Sequence, residues 1–221
     1  LSVKITQNEK MQTEFISSLS HELRTPLTAI NGWSETLLAG DELDPEARRG
    51  MKIIHRETQR LTEMVVELLD FTRIQDGRMT LNVRQCDIRS EFEDTVFMYG
   101  SRLEADGIHL EYLENEDDIP EVLCDVSRLR QVFLNILDNA AKHGADGGRI
   151  EASIHYEHPH VIVQIRDFGP GIPEDELPLV KRKFFKGSSK ARGTGIGLAV
   201  CDEIVSMHGG LLELSNAQGG G

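Results

Sequence analysis

The sequence lacks any apolar run that could cross a membrane, since no window approaches the roughly 18 consecutive apolar residues that a transmembrane helix needs. It begins with Leu1 rather than methionine and has no signal-like apolar stretch, so we expect a piece of a longer protein, located in the cytoplasm. Acidic residues outnumber basic ones, 37 to 24, and the 221 residues carry a formal net charge of −13. This acidity argues against nucleic acid as a partner, because phosphate backbones repel such a chain.

Cysteine is also scarce. The three cysteines, Cys86, Cys124 and Cys201, are far apart and have no CxxC spacing. This pattern predicts reduced thiols in or near a core. The sequence has no internal repeat and no long low-complexity run, so its composition predicts a soluble globular protein.

The first third of the chain has the pattern of two long helices. Apolar residues within 15–30 recur on one face of a helix that we expect to end near Ala39. Asp44 and Pro45 predict the start of a second helix, which has heptad spacing over 51–72. The two helices are expected to form an antiparallel hairpin, and pairing with a second copy would complete a four-helix bundle, so a homodimer is predicted.

Near residue 76 the pattern changes to short strands and helices, so we expect two domains, 1–75 and 76–221. The predicted strands are Thr80–Arg84, Ile108–Tyr112, Val122–Cys124, Arg149–Tyr156, Val161–Asp167 and Leu211–Ser215. The predicted helices are Ile88–Asp106, Ser127–His143 and Ile196–His208. The fold class is therefore α+β: a helical hairpin followed by an α/β sandwich, in which helices cover one face of a sheet.

The stretch FISSLSHELRTPLTAI, residues 15–30, is the first to suggest chemistry. On a helical wheel of about 100° per residue, His21 lies roughly opposite the apolar face, so it is expected at the surface. A neutral exposed histidine is a competent nucleophile, and Glu22 can fix its tautomer and stabilise its imidazolium form. Thr25 lies about 40° from His21 on the same face. Pro26 removes a helix hydrogen bond, which predicts a local bend beside the histidine.

A second motif, NILDNAAKHG, covers residues 135–144. Asn135 and Asn139 are four residues apart on one helix face, and Lys142 follows near the helix end. Amide oxygens can bind Mg²⁺ directly or through water, and a lysine suits phosphate oxygens. An ordinary polar helix face has the same pattern, and this motif alone does not separate the two readings.

A third motif is RDFGPGIP, residues 166–173. Asp167 ends a predicted strand, and Gly169 and Gly171 allow a turn that brings backbone close to a ligand. A carboxylate there could accept a hydrogen bond from an exocyclic amine such as that of adenine, although a plain strand-exit turn has the same sequence. The tripeptide DFG is treated as a coincidence, because no HRD loop or VAIK strand accompanies it.

The fourth motif, GTGIGLAV, covers residues 193–200 and opens a helix. Backbone N–H groups at such a position can hold phosphates. The motif lacks the GK[ST] of a Walker A loop, and Leu198 replaces the last glycine of GxGxxG. Six cations precede it in twelve residues without an acid: Lys181, Arg182, Lys183, Lys186, Lys190 and Arg192. A solvated basic loop would have this composition, but a lid over a triphosphate explains the sign of the charge better.

Together and in this order, the four motifs resemble the catalytic core of a two-component sensor histidine kinase, over nearly the whole chain. SHELRTPL is similar to the family's phospho-acceptor box, and the other three motifs are similar to the asparagine and glycine boxes of its Bergerat-type ATP-binding fold. The resemblance implies that His21 takes the γ-phosphoryl group of ATP, with Glu22 as base and Thr25 aiding dephosphorylation of the regulator. It implies Asn135 as the Mg²⁺ ligand. It also implies further nucleotide-binding residues: Asn139, Lys142, His143, Asp167, Gly169, Gly171, Lys186, Gly193, Thr194, Gly195, Gly197 and Leu198.

The resemblance further implies ATP and Mg²⁺ as cofactors, an aspartate of a response regulator as phosphoryl acceptor, and membrane contact only through an upstream sensor region. The chain departs from the family's pattern at Lys181, where an aromatic residue is usual, and at Phe168, where a small polar residue is frequent. At its end the family's last strand is expected to be missing. Two alternatives remain: a phosphatase that uses ATP as a conformational signal, and a degenerate nucleotide-binding dimer that acts as a scaffold. A chaperone-like ATPase is a weaker reading, because it would not need the helical hairpin.

Overall fold

The computed structural model describes residues 2–40, 43–115, 118–144, 147–187 and 194–217, with side chains for all of these except 2–19, 21 and 105. The chain divides into two compact units, Leu1–Met79 and Thr80–Gly221, and each is described by itself. No helix in the described ranges combines the length and the apolar character needed to span a membrane.

The first unit is a hairpin of two long helices, α1 (Ser2–Ala39) and α2 (Pro45–Gln75). The Asp44 side chain accepts a 2.8 Å hydrogen bond from the Ala47 N–H, which caps α2 as the sequence predicted. The Arg48 guanidinium donates to the carbonyls of Leu38 (3.0 Å) and Gly40 (2.6 Å). These bonds satisfy carbonyl groups that the end of α1 would otherwise leave open, and they tie the end of α1 to the start of α2.

Among the side chains that the structure describes, the buried apolar core of this unit is small. It contains Leu27 from α1 and Val65 and Leu69 from α2. Other large apolar residues of the two predicted faces are exposed, with relative accessibilities of 42% for Leu23, 46% for Ile30, and 47% for Ile54 and Leu61. A single hairpin therefore buries only part of the apolar stripe that the sequence places on each helix.

The second unit is a mixed α/β structure. Its strands are β1 (Arg84–Cys86), β2 (His109–Tyr112), β3 (Val122–Cys124), β4 (Arg149–Glu157) and β5 (His160–Asp167). Its helices are α3 (Ile88–Ala105), α4 (Val126–His143) and α5 (Gly197–Met207), with a 3-10 turn at Leu177–Leu179. β1 pairs antiparallel with β3, while a second sheet has the order β2-β4-β5. β2 is parallel to β4, and β4 forms an antiparallel hairpin with β5.

Alternation along β4 places the sheet beneath the helices. Ile150, Ala152 and Ile154 are at most 1% exposed and point to one face, whereas the polar residues between them point to the other. Phe92 of α3 belongs to the same core cluster as Ala152 and Ile154, and Leu137 of α4 belongs to the cluster of Ile150. The helices thus cover one face of the sheet, as predicted.

Two predicted strands differ from the structure. The first was expected at Thr80–Arg84 but lies at Arg84–Cys86, because its partner β3 is only three residues long and fixes where pairing occurs. The strand predicted at Leu211–Ser215 is wrong, since no strand occurs there in the described part of the chain. Its apolar alternation predicts an extended chain but supplies no partner. The following Asn216 bonds instead through its side chain to the N–H (2.8 Å) and C=O (2.7 Å) of Ile172.

The prediction of three reduced thiols is wrong for two of them. Cys86 in β1 and Cys124 in β3 form a disulfide across the strand pair, while Cys201 is free and buried in α5. The bonded cysteines are 38 residues apart in the sequence. Only the pairing of β1 with β3 brings them together, so spacing alone could not reveal the bond.

Asp125 joins α4 to the segment before β1. Its carboxylate accepts hydrogen bonds from the Ser127 hydroxyl (2.6 Å), the Arg128 N–H (3.2 Å) and the Asn82 N–H (2.8 Å). Burial acts to raise the pKa of Asp125, but these hydrogen bonds outweigh it and hold the pKa below its ordinary value. The ionised carboxylate therefore stabilises the folded unit.

Asp125→Ala should lower the free energy of unfolding by about 2–4 kcal/mol, since it removes a helix cap and leaves three donors of part-buried hydrogen bonds without their acceptor. Asp87 is the matched control, because it caps α3 with a single exposed bond to the Ser90 N–H (3.1 Å), and Asp87→Ala should cost about 1 kcal/mol.

The stability loss in Asp125→Ala should also depend on pH. Because the pKa of Asp125 is depressed in the folded state, this loss should be constant above about pH 5 and shrink as the pH falls below about 4. Urea denaturation across this range measures it. Equal deficits for the two variants would contradict the role given to Asp125.

Candidate functional site

The stretch FISSLSHELRTPLTAI lies within α1, which runs through Pro26 without interruption to Ala39. The backbone of His21 is helical, and its side chain lies outside the described residues. Glu22 and Thr25 are both exposed. The four-residue spacing of His21 and Thr25 places them at neighbouring positions on one helix face. The local bend at Pro26 stays a prediction.

The asparagine motif lies on α4, as predicted. Asn135 and Asn139 are half-buried. The Asn135 nitrogen Nδ2 is buried and has no hydrogen-bond partner in the ranges that the structure describes. Buried amide groups are normally bonded, so the Asn135 amide nitrogen retains hydrogen-bond donor capacity for an acceptor on a bound group.

Lys142 is held by residues that the sequence analysis did not select. It forms an ion pair with Asp138, one helical turn away, and the Tyr99 hydroxyl donates to the other Asp138 oxygen at 3.2 Å. Tyr99 is buried between α3 and α4. The spacing of Asp138 and Lys142 within the motif was a usable signal, but the contribution of Tyr99 from α3 depends on packing. His143, at the end of α4, is exposed.

Close backbone contact joins the asparagine helix to the turn after β5. Gly144 is buried directly after α4, and a Cβ added there would lie 2.4 Å from the Cβ of Asp167 and 2.7 Å from the carbonyl oxygen of Ala140. A Cβ on Gly169 would lie 2.7 Å from the Cα of Gly144. Asp167 also accepts a 2.9 Å hydrogen bond from the Gly169 N–H. The structure therefore brings the second and third motifs together, through a glycine that the sequence analysis did not select.

Phe168 has a defined place beside this contact. Two guanidinium groups lie over its ring, with Cζ of Arg166 at 4.5 Å and Cζ of Arg149 at 5.2 Å from the ring centroid. A Cβ on Gly147 would lie 2.2 Å from the carbonyl oxygen of Phe168. Phe168 is thus held by cation–π contacts of its ring, and Gly147 leaves room for the carbonyl group of Phe168.

The glycine motif leads directly into α5. Gly193 lies outside the described residues, and the Thr194 hydroxyl accepts a 3.2 Å hydrogen bond from the Ile196 N–H. Gly195 has φ +72°, and a Cβ there would lie 2.7 Å from the carbonyl oxygen of Phe185. The N-cap residue Ile196 makes no side-chain capping hydrogen bond, and a helix start of this kind can hold an anion through its backbone N–H groups. Leu198 is half-buried in this first turn.

The basic stretch is only partly available to a ligand. The Lys181 ammonium group donates to Asp202 of α5 (2.9 Å) and to the carbonyl of Leu212 (3.0 Å). Lys181 thus forms a polar anchor where the family usually has an aromatic residue. Lys186 is exposed, whereas Lys190 and Arg192 lie outside the described residues.

Comparison with protein families gives two matches. Residues 11–77 match the family described as the His Kinase A (phospho-acceptor) domain. Residues 124–221 match the family described as the histidine kinase-, DNA gyrase B- and HSP90-like ATPase. The matches occur in the order that the motifs predicted, and together they cover well over half of the chain.

Curated relatives agree with these matches. The sensor protein KdpD of Clostridium acetobutylicum is 33% identical over 97% of this chain and 24% of its own length. The circadian input-output histidine kinase CikA of Synechococcus elongatus is 33% identical over 94% of this chain and 28% of its own length. The chain therefore spans roughly a quarter of the length of these relatives.

Two solved structures share the fold. Full-length ShkA in complex with AMPPNP superposes with a TM-score of 0.70 at 26% identity, covering 87% of this chain and 40% of that one. The histidine kinase ThkA in complex with the response regulator TrrA gives a TM-score of 0.62 at 22% identity, covering 97% of this chain and 61% of that one. The predicted fold class, a helical hairpin followed by an α/β ATPase-type domain, is confirmed.

Proposed function

Because this chain belongs to the two-component sensor histidine kinases, we propose that it phosphorylates its own His21 from ATP and passes the phosphoryl group to an aspartate of a response regulator. The observation that carries the proposal is the backbone contact of Gly144 with Asp167 and Gly169. This contact brings the asparagine motif on α4 and the turn after β5 together, which supports a single site formed by both.

The residues at this site fit a nucleotide and Mg²⁺. The Asn135 nitrogen Nδ2 has unfilled donor capacity, and the oxygen of the same amide group is the type of ligand that a hard cation prefers. Asp167 would accept from the adenine amine, and the uncapped start of α5 would hold phosphate. The remaining proposed contacts are Asn139, Lys142, His143, Gly169, Gly171, Lys186, Gly193, Thr194, Gly195, Gly197 and Leu198. When bound, ATP supplies the γ-phosphoryl group and Mg²⁺ offsets the phosphate charge.

The proposed acceptor is Nε2 of neutral His21. Its lone pair forms the N–P bond while the bond from the γ-phosphorus to its bridging oxygen breaks, so that ADP leaves. Glu22 would hold the Nδ1 proton, which fixes the tautomer and stabilises the cationic ring as the new bond forms. The exposure of Glu22 and Thr25 supports access to this part of α1 from solvent.

The proposal also assigns roles to the two parts of the chain. Residues 1–75 would form the dimerisation and phosphotransfer domain, and residues 76–221 the ATP-binding domain. The exposed Leu23, Ile30, Ile54 and Leu61 of the hairpin support a homodimer, since a second hairpin would cover them in a four-helix bundle. A cytoplasmic location, with membrane contact only through an upstream sensor region, belongs to the same proposal.

A second candidate activity is removal of phosphate from the response regulator. The exposure of Thr25, four residues from His21, favours it, because a hydroxyl there can orient water toward a docked phosphoaspartate. This activity and the kinase reaction would use the same helix face.

Incubation of the full chain with Mg²⁺ and γ-labelled ATP tests the proposal. We expect label that is labile in acid and stable in alkali, and its transfer to an added receiver domain. Asn135→Ala should lower the labelling rate by at least about 100-fold, whereas Asn82→Ala, at an exposed side chain outside the site, should leave it unchanged. Nucleotide binding without label would refute the kinase proposal in favour of a phosphatase or scaffold. Equal labelling by both variants would refute the role of Asn135.

A further inference from the structure

A groove lies between α3 and β2, on a part of the second unit that the kinase proposal does not use. It has a volume of about 370 Å³ and is open to solvent. Residues of α3 line one side, and residues of β2 together with Glu114 just after it line the other. The residues that matter for its chemistry are Glu93, Phe97, Glu104, Leu110, Tyr112 and Glu114. We refer to it as the α3–β2 groove.

One side of this groove is a free strand edge. Within the described residues, β2 has β4 as its only neighbour in the sheet. The N–H groups of His109 and Leu113 bond toward β4, to the carbonyls of Gly148 (2.9 Å) and Ala152 (2.8 Å). Backbone N–H and C=O groups alternate in direction along a strand. The backbone groups of Leu110 and Tyr112 therefore point away from β4, toward the open edge. An incoming strand would therefore find donors and acceptors there.

The opposite side carries exposed apolar side chains. Phe97 is 79% exposed and lines the groove, and the adjacent Met98 is 75% exposed. Their neighbours Val96 and Tyr99 are buried, so α3 has its core face elsewhere and needs neither Phe97 nor Met98 for packing. Large apolar side chains left this exposed beside a groove are typical of a binding surface.

The charge of the lining has one sign. Three glutamates line the groove at positions 93, 104 and 114, and no lysine, arginine or histidine of the described residues lines it. The Tyr112 hydroxyl donates to Glu93 across the groove at 2.8 Å. Burial, and next the hydrogen bond to Glu93, raise the pKa of Tyr112 to about 12, so its hydroxyl stays a neutral donor. The groove therefore matches a positively charged occupant.

We propose that the α3–β2 groove binds an extended basic segment of a partner protein, which adds to the free edge of β2 as a further strand. Main-chain hydrogen bonds to the edge would give affinity, and side chains between strand and helix would give selectivity, as in other grooves of this construction. Apolar side chains of the segment would contact Phe97, and basic ones would meet the glutamates. A second copy of this chain is a poorer match, because the net charge of −13 opposes entry into an acidic groove.

The probe is a short synthetic peptide that alternates lysine and valine, carries a fluorophore and is blocked at both ends. Its binding to the full chain is followed by fluorescence anisotropy at low salt. Phe97→Ser and Glu104→Lys should each weaken binding by at least about tenfold. The matched controls are Leu123→Ser, at a residue that is 73% exposed, and Glu121→Lys, both outside the groove, and these should bind like the wild type.

A peptide of the same sequence with methylated backbone nitrogens separates strand addition from simple charge attraction. It should bind at least about tenfold more weakly, because it has lost its main-chain donors. Equal binding of both peptides, or equal effects of groove and control variants, would overturn the proposal. Self-association beyond a dimer that Phe97→Ser abolishes would identify a second copy as occupant and overturn it as well. Thermal melts establish that each variant is folded, and none of these readouts depends on kinase activity.

Discussion

His21→Ala should lower incorporation of γ-phosphoryl label by at least about three orders of magnitude, because it removes the only atom that we assign as phosphoryl acceptor. The fold should be retained, since alanine is a better helix former than histidine and position 21 lies within the long helix α1. Binding of a fluorescent ATP analogue should also be unchanged, because the proposed nucleotide site lies in the other unit. Autoradiography of acid-free gels measures the label.

The control for this result is His160→Gln, which changes an exposed histidine of the second unit. It should be labelled like the wild type. Residual acid-labile label on His21→Ala above one tenth of the wild-type level would mean that another of the eight histidines accepts the phosphoryl group. Loss of label together with loss of nucleotide binding would instead show that the substitution disturbs more than the acceptor.

Gly144→Ala should destabilise the second unit by about 1–3 kcal/mol and weaken nucleotide binding by at least about tenfold. The backbone of Gly144 has φ −96°, which alanine adopts without strain, so the effect is steric. The new methyl group would meet Asp167 at 2.4 Å and the carbonyl of Ala140 at 2.7 Å. Either α4 or the turn after β5 must move, and both carry proposed nucleotide contacts.

Gly100→Ala is the control, because Gly100 belongs to the same unit but lies within α3, whereas Gly144 is the C-cap residue of α4. Its added Cβ would have no neighbour closer than Leu110 at 3.8 Å, which is an ordinary contact. Because alanine favours a helix by about 1 kcal/mol over glycine, Gly100→Ala should raise the melting temperature while Gly144→Ala lowers it. Thermal melts and nucleotide titrations of both variants measure these effects. Unchanged nucleotide affinity in Gly144→Ala would remove Gly144 from the site.

Local sequence signals predicted the helices well. The capping aspartate and following proline located the start of α2, the apolar period indicated α1, and the expected end of α1 near Ala39 is confirmed. The predicted bounds of β4 and β5 agree with the structure to within one residue. These features depend on residues close in sequence, through caps, periodicity and turn geometry, and so they can be read without a structure.

Features that depend on distant residues were missed or wrong. The disulfide joins residues 38 apart through the pairing of β1 with β3. Lys181 was grouped with the ligand-facing cations, yet it bonds to Asp202 of α5. The strand predicted at Leu211–Ser215 had the right alternation but finds no partner strand in the described ranges. In each case the outcome depends on which segment lies alongside, and a local pattern does not contain that information.

The candidate site divides in the same way. The sequence by itself determined the order of four motifs, the helical setting of His21, and the family to which the chain belongs. Only the tertiary structure decided that Gly144 meets Asp167, that Tyr99 supports Asp138 beside Lys142, and that β2 has, within the described residues, an open edge beside an acidic groove. Residue types and short spacings encode local chemistry, whereas close packing between segments far apart in the chain sets which groups share a site.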